Sequence, residues 1–104
     1  MHVIANNEAN YWYLLEHKGR LIFQTCCTSS VAWFTVTTEL REDELNEYRK
    51  RGDAYLDEFS TAINGTRPGR PDLASPYLAR LIDPSEEPLV SSAITQWLDG
   101  KRAG

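Results

Sequence analysis

Cys26 and Cys27 stand side by side, the histidines are His2 and His17, and a run of carboxylates gathers at Glu39, Glu42, Asp43, Glu44 and Glu47. These residue types can ligate a metal, carry a thiolate or exchange protons, and their spacing decides which task is open. A zinc site needs two separated Cys or His pairs that close a tetrahedron, and neither cysteines nor histidines here have such a second pair. Neighbouring residues in a strand point to opposite faces, so Cys26 and Cys27 cannot jointly hold one ion. A nucleophilic thiol needs an imidazole, a cation or a helix N-terminus beside it, and "QTCCTSS" supplies none. No glycine-rich phosphate loop, nucleophile elbow or HExxH helix occurs either. The reading is therefore no metal site, no cofactor and no enzyme, with Cys27 in the core and Cys26 on the second face of its sheet.

The carboxylates admit two uses. Paired acids can do acid and base chemistry, but a run of this kind is more simply the solvated start of a helix, with Glu47 four residues before Arg51 as a surface ion pair. The same cluster is a landing site for a basic protein, because charge raises encounter rates. The basic stretch "YRKRG" lies between "REDELNE" and "DAYLDE", and so reads as part of a mixed-charge helix surface.

The 104-residue chain has the length of one domain, and its formal net charge of −4 argues against a nucleic-acid ligand, which would need clustered Lys and Arg. The N-terminal segment lacks the pattern of a signal peptide, and no apolar run reaches membrane-spanning length. A cytoplasmic protein with reduced thiols is the resulting expectation.

The elements that must position these residues follow from periodicity. "YWYLLE", "RLIFQTCCT" and "VAWFTVTT" are β-branched, aromatic or alternating, and predict a three-stranded antiparallel meander. A three-residue loop of His17, Lys18 and Gly19 would pair Glu16 with Arg20 and Tyr13 with Phe23. A two-residue Lys18-Gly19 turn would pair His17 with Arg20 and Leu14 with Phe23. The charge match favours the first.

"ELREDELNEYRKRGDAYLDEFSTAING" carries apolar residues at steps of three and four, and predicts a long amphipathic helix with Glu42, Asp43 and Glu44 in its first turn, ending at Asn64-Gly65. Gly52 inside it is expected where the helix crosses a strand closely. A Pro/Gly-rich loop containing Arg67 and Arg70 follows. A C-terminal helix capped by Ser85 then presents Leu89, Val90, Ala93, Ile94, Trp97 and Leu98 and stops at Gly100. The whole is a single α+β domain, with residues 1–9 and 100–104 expected to be loosely ordered.

Trp12 and Trp33 are expected on the second sheet face with Leu14 and Ile22. The C-terminal helix covers that face, or the tryptophans form an exposed patch for a partner or a homodimer. Tyr13, Tyr48 and Tyr55 are the side chains that would line a small-molecule pocket or active site between meander and helices.

The order of "YWYLL", a turn at Gly19, a strand ending in cysteine, "EDELNEYRKRGDAYLDEFSTAIN", "SPYLARLI" and "AITQWL" resembles a group of small bacterial cytoplasmic proteins, several of them assigned as immunity proteins of polymorphic toxin systems. Arg41 departs from the pattern by standing where a Ser, Thr or Asp cap is expected. The resemblance implies a protein that binds and blocks a cognate toxin without catalysis. Glu42, Asp43, Glu44 and Glu47 are then the expected contacts with a basic toxin domain, beside a sheet surface bearing Trp12 and Trp33.

Overall fold

A computed structural model describes residues 1–7, 11–28, 33–66 and 76–103, and the turn at Lys18 and Gly19 sets its architecture. Both turn residues have positive φ, 52° and 80°, as a two-residue type I′ hairpin requires. The flanking strands are β2 (Trp12–His17) and β3 (Arg20–Thr28). They pair His17 with Arg20, Leu15 with Ile22, Leu14 with Phe23 and Trp12 with Thr25. The expected Glu16–Arg20 pairing is therefore wrong, and the two-residue alternative is the one adopted.

The reason is long-range. Arg20 finds its carboxylates in Glu39 and Glu86, so it does not need Glu16. Glu16 instead accepts from the Gly19 N–H at 3.2 Å and lies 3.4 Å from His2. The observed register collects Trp12, Leu14, Phe23 and Cys27 on one buried face.

β1 (His2–Asn7) and β4 (Trp33–Glu39) complete a four-stranded antiparallel sheet in the order β1-β2-β3-β4. The meander of three expected strands is present, and residues left outside it supply a fourth. "HVIANN" lacks a clean alternation, and its pairing with β2 shifts register between Val3 and Ala5. That bulge at Ile4 breaks the period-two signal that would have announced a strand.

Helices cover both faces of the sheet. Trp12, Leu14, Phe23, Cys27, Val36 and Leu40 pack against Leu56, Phe59 and Ile63 on one side. Leu15 and Ile22 pack against Ile82, Val90 and Ala93 on the other. Trp12 thus lies on the side opposite the C-terminal helix, which is the consequence of the register. Each of the large side chains removed from water contributes roughly 1.5–3 kcal/mol to holding the layers together. A buried hydroxyl pair, Thr25 Oγ1 and Ser60 Oγ at 2.7 Å, ties the sheet to the helix above it.

The expected long helix is broken into α1 (Glu42–Arg51) and α2 (Asp53–Gly65) by Gly52, at φ 64° and ψ −144°. A Cβ placed on Gly52 meets nothing within 4 Å, so the glycine is there for its backbone angle and not for a close crossing. The break redirects the chain: α1 buries none of its residues fully, whereas α2 buries Leu56, Phe59, Ser60 and Ile63.

After 3-10 turns at Pro76–Arg80 and Pro84–Glu86 comes α3 (Glu87–Ala103). Ser85 does not cap α3 as expected; it lies inside the preceding 3-10 turn, which Asp83 caps, its Oδ1 accepting from the Ser85 N–H and Oγ at 2.9 and 2.8 Å. α3 continues past Gly100 to Ala103, so the expected stop at residue 100 is displaced. Gly100 does not adopt the positive φ of a helix-ending glycine.

Candidate functional site

The start of α1 is built from its neighbours in space. Arg41, the N-cap residue, has no side chain able to cap, and the deficit is met from inside the helix. Its backbone N–H donates to Glu44 Oε1 at 2.7 Å, the reciprocal half of a capping box. Glu44 also receives both terminal nitrogens of Arg80, at 2.6 and 2.8 Å, with the two side chains only 12% and 11% exposed. Arg80 donates further to the Glu39 carbonyl at 3.0 Å, and its own carbonyl accepts from Thr38 Oγ1 at 2.9 Å. The guanidinium pKa is raised chiefly by its hydrogen bonds to Glu44. Glu44 therefore belongs to the joint between α1, β4 and the segment before α3.

Glu42 and Asp43 differ from it. Both are exposed, and no cation pairs with either among the described residues. Glu47 is 44% exposed and reaches Arg51 Nη1 only at 4.0 Å, while Arg51 turns to Glu58. The far end of α1 carries exposed Arg49 and Lys50, so the helix is acidic at its start and basic at its end, with each sign favoured by the helix dipole. Tyr55, beneath this surface, has its phenol pushed up to about 12, first by burial and then by Glu44, Asp43 and Glu47.

Trp12 does not contribute to an outer surface. It is fully buried, its ring packs on Phe23 at 5.7 Å between centroids, and its Nε1 donates to Asp57 Oδ1 at 2.8 Å. Asn7 Nδ2 donates to the same oxygen at 2.8 Å, so Asp57 of α2 joins β1 and β2. Among sequence signals, Asp57 was one acid of many in an amphipathic helix. Only the register that turns Trp12 toward α2 reveals its partners. Trp33 stands in β4 opposite Thr28, and its side chain lies outside the described residues, as do Arg67 and Arg70.

Tyr13 meets Trp97 of α3 edge to face at 6.0 Å, whereas Tyr48 and Tyr55 pack against the α2 core on the opposite side of the sheet. The three tyrosines expected to line one pocket thus do not face a common space. An open recess of about 400 Å³ is lined by Asp57, Glu58, Thr61 and Ala62, and a smaller one of about 230 Å³ by Met1, His17, Leu89, Ser92, Ala93 and Gln96. Both open to solvent.

The cysteines follow the strand alternation. Cys27 is buried and Cys26 half-buried. Burial, and secondarily the neighbouring Cys26, pushes the Cys27 thiol up to about 11, and burial raises Cys26 as well. Both shifts oppose thiolate formation at neutral pH. No cluster of three or more His, Cys, Asp or Glu arranged for a metal occurs among the described residues. Nor is any helix among them long and apolar enough to cross a membrane.

Comparison of the chain with protein-family models, with curated proteins and with solved structures gave no match in any of the three.

Proposed function

We propose that the chain is a non-catalytic protein-binding module that offers the acidic start of α1 to a basic partner. In the form implied by the resemblance, it is an immunity protein that occludes a cognate toxin domain. The observation that carries this reading is the contrast within one acidic cluster. Glu44 is committed to Arg80, whereas Glu42, Asp43 and Glu47 remain exposed or half-exposed on the outer side of α1. Glu42 and Asp43, which pair with no cation among the described residues, and Glu47, which reaches Arg51 only at 4.0 Å, are available to steer and hold a cationic surface, chiefly by raising the association rate. The contact set is accordingly Glu42, Asp43 and Glu47, with Glu44 holding the helix in place and Trp12 excluded by its burial.

The test is the triple variant Glu42→Lys, Asp43→Lys and Glu47→Lys. It is mixed with the toxin-like domain encoded beside this gene, and binding is followed by calorimetry and stopped flow at low and physiological salt. The expected result is a fall in association rate of about tenfold or more at low salt, shrinking as salt is added. Unchanged affinity and rate in a variant with wild-type circular dichroism would remove this surface from the proposal.

A further inference from the structure

The two edges of the sheet are treated differently. The outer edge of β4 is covered by the chain itself at its Thr37–Thr38 end: Thr38 forms a bridge with Leu81, and the Ile82 N–H donates to the Thr37 carbonyl at 3.0 Å. At the other edge, no strand among the described residues pairs with the outer side of β1. Edge strands are usually protected by Lys, Pro or inward charges, or by a bulge. β1 reads His2, Val3, Ile4, Ala5, Asn6, Asn7, without a carboxylate, a Lys, an Arg or a Pro. Its single protective device is the bulge at Ile4, and Ile4 itself is 45% exposed.

α3 supplies what a short, bulged strand lacks. It packs over β1 and β2, with Val90 and Ala93 near Leu15 and Trp97 against Tyr13. Leu15 pairs with Val3 and Tyr13 with Asn6, so α3 runs in the same direction as β1. Its first residue is Glu87, and Lys101 near its end lies over the Trp97 ring at 5.2 Å.

We infer that β1 is an interface for a second copy of this chain, through antiparallel β1–β1 pairing about a twofold axis, with the two α3 helices packed antiparallel beside it. An axis between Ile4 and Ala5 sets Ile4 opposite Ala5 and His2 opposite Asn7, so the pairing brings no like charges together. Because α3 follows β1, the axis also sets the Glu87 end of one α3 against the Lys101 end of the other, and it opposes their dipoles. With strands about 4.8 Å apart and α3 above the β1–β2 pair on each copy, the helix axes fall roughly 10 Å apart, the distance at which helices pack. The bulge restricts regular strand pairing to a few residues, and the helix contact makes up the difference. The strand surfaces are self-complementary, as a twofold interface demands.

Sedimentation equilibrium of the whole protein from about 1 µM to about 1 mM decides it. The wild type should pass from monomer to dimer in that range. Ile4→Lys, which sets a cation on the edge close to its own symmetry mate, should weaken dimerisation at least about tenfold with unchanged circular dichroism. Glu87→Lys and Lys101→Glu should each weaken it about two- to fivefold, and the double variant should recover the wild-type affinity. This arm stands even if Ile4→Lys disturbs folding. A wild type monomeric throughout would overturn the inference and leave the edge to a strand of another protein. A double variant no tighter than the singles would overturn the antiparallel helix packing on which the inference rests.

Discussion

Two carboxylates one helical position apart, Asp43 and Glu44, have opposite fates, and the difference lies in where Arg80 sits. Arg80 comes from a segment more than thirty residues downstream, |i−j| = 36, so nothing in the local pattern distinguishes the two acids. This sets the expectation for single substitutions. Glu44→Gln removes half of a mostly buried ion pair and a cap acceptor together, and should lower stability by roughly 2 kcal/mol or more in urea unfolding. Glu42→Gln, at an exposed site, should stay within about 0.5 kcal/mol of wild type. Equal effects at the two positions would show that the Glu44–Arg80 pair does not hold the helix.

At the scale of elements, periodicity located the strands and helices but not the places where a single residue changes the chain's direction. The apolar spacing continues through Gly52 without a gap, so a helix running from Glu42 to Gly65 was the natural reading. What it cannot express is that Gly52 turns to φ 64°, a backbone state that any side chain resists. Gly52→Ala should therefore destabilise the protein by about 1–2 kcal/mol, although an added methyl group meets open space. Stabilisation by this substitution would mean that the two helices fuse readily into one. The Lys18-Gly19 turn shows the same limit. A local charge match between Glu16 and Arg20 favoured one register, and the apolar side chains of the whole sheet enforced the other.

For the molecule as a whole, the α+β class, the central strands and the burial of Cys27 were legible because they rest on composition and alternation. The edge strand, the helix break and the identity of each ion pair were not, because they depend on residues distant in sequence. Arg20 illustrates the point, bringing together Glu39 of β4 and Glu86 before α3. The hydrogen bond from Arg20 holds the Glu86 carboxyl below its usual range. A depressed folded-state pKa contributes stability that is present above the unfolded value and lost as pH falls through the folded one. Stability against denaturant should accordingly fall as pH drops below the ordinary carboxylate range, and Glu86→Gln should flatten part of that slope. An identical acid profile in the variant would separate Glu86 from the pH dependence.

α1 has no fully buried residue, ends at a glycine swivel, meets the core only through the partly buried Leu45 and Tyr48, and is tied at its start by the Glu44–Arg80 ion pair. A helix so placed should open locally at a lower free energy than the rest of the protein, with faster amide hydrogen exchange in α1 than in α2 as the measurement that checks it. Any partner that grips Glu42 and Asp43 then binds only the fraction of molecules in which α1 is formed, so its apparent affinity includes the helix-coil equilibrium. The strength of the Arg80 anchor thereby becomes a remote control on recognition, able to tune affinity from a residue that the partner never touches.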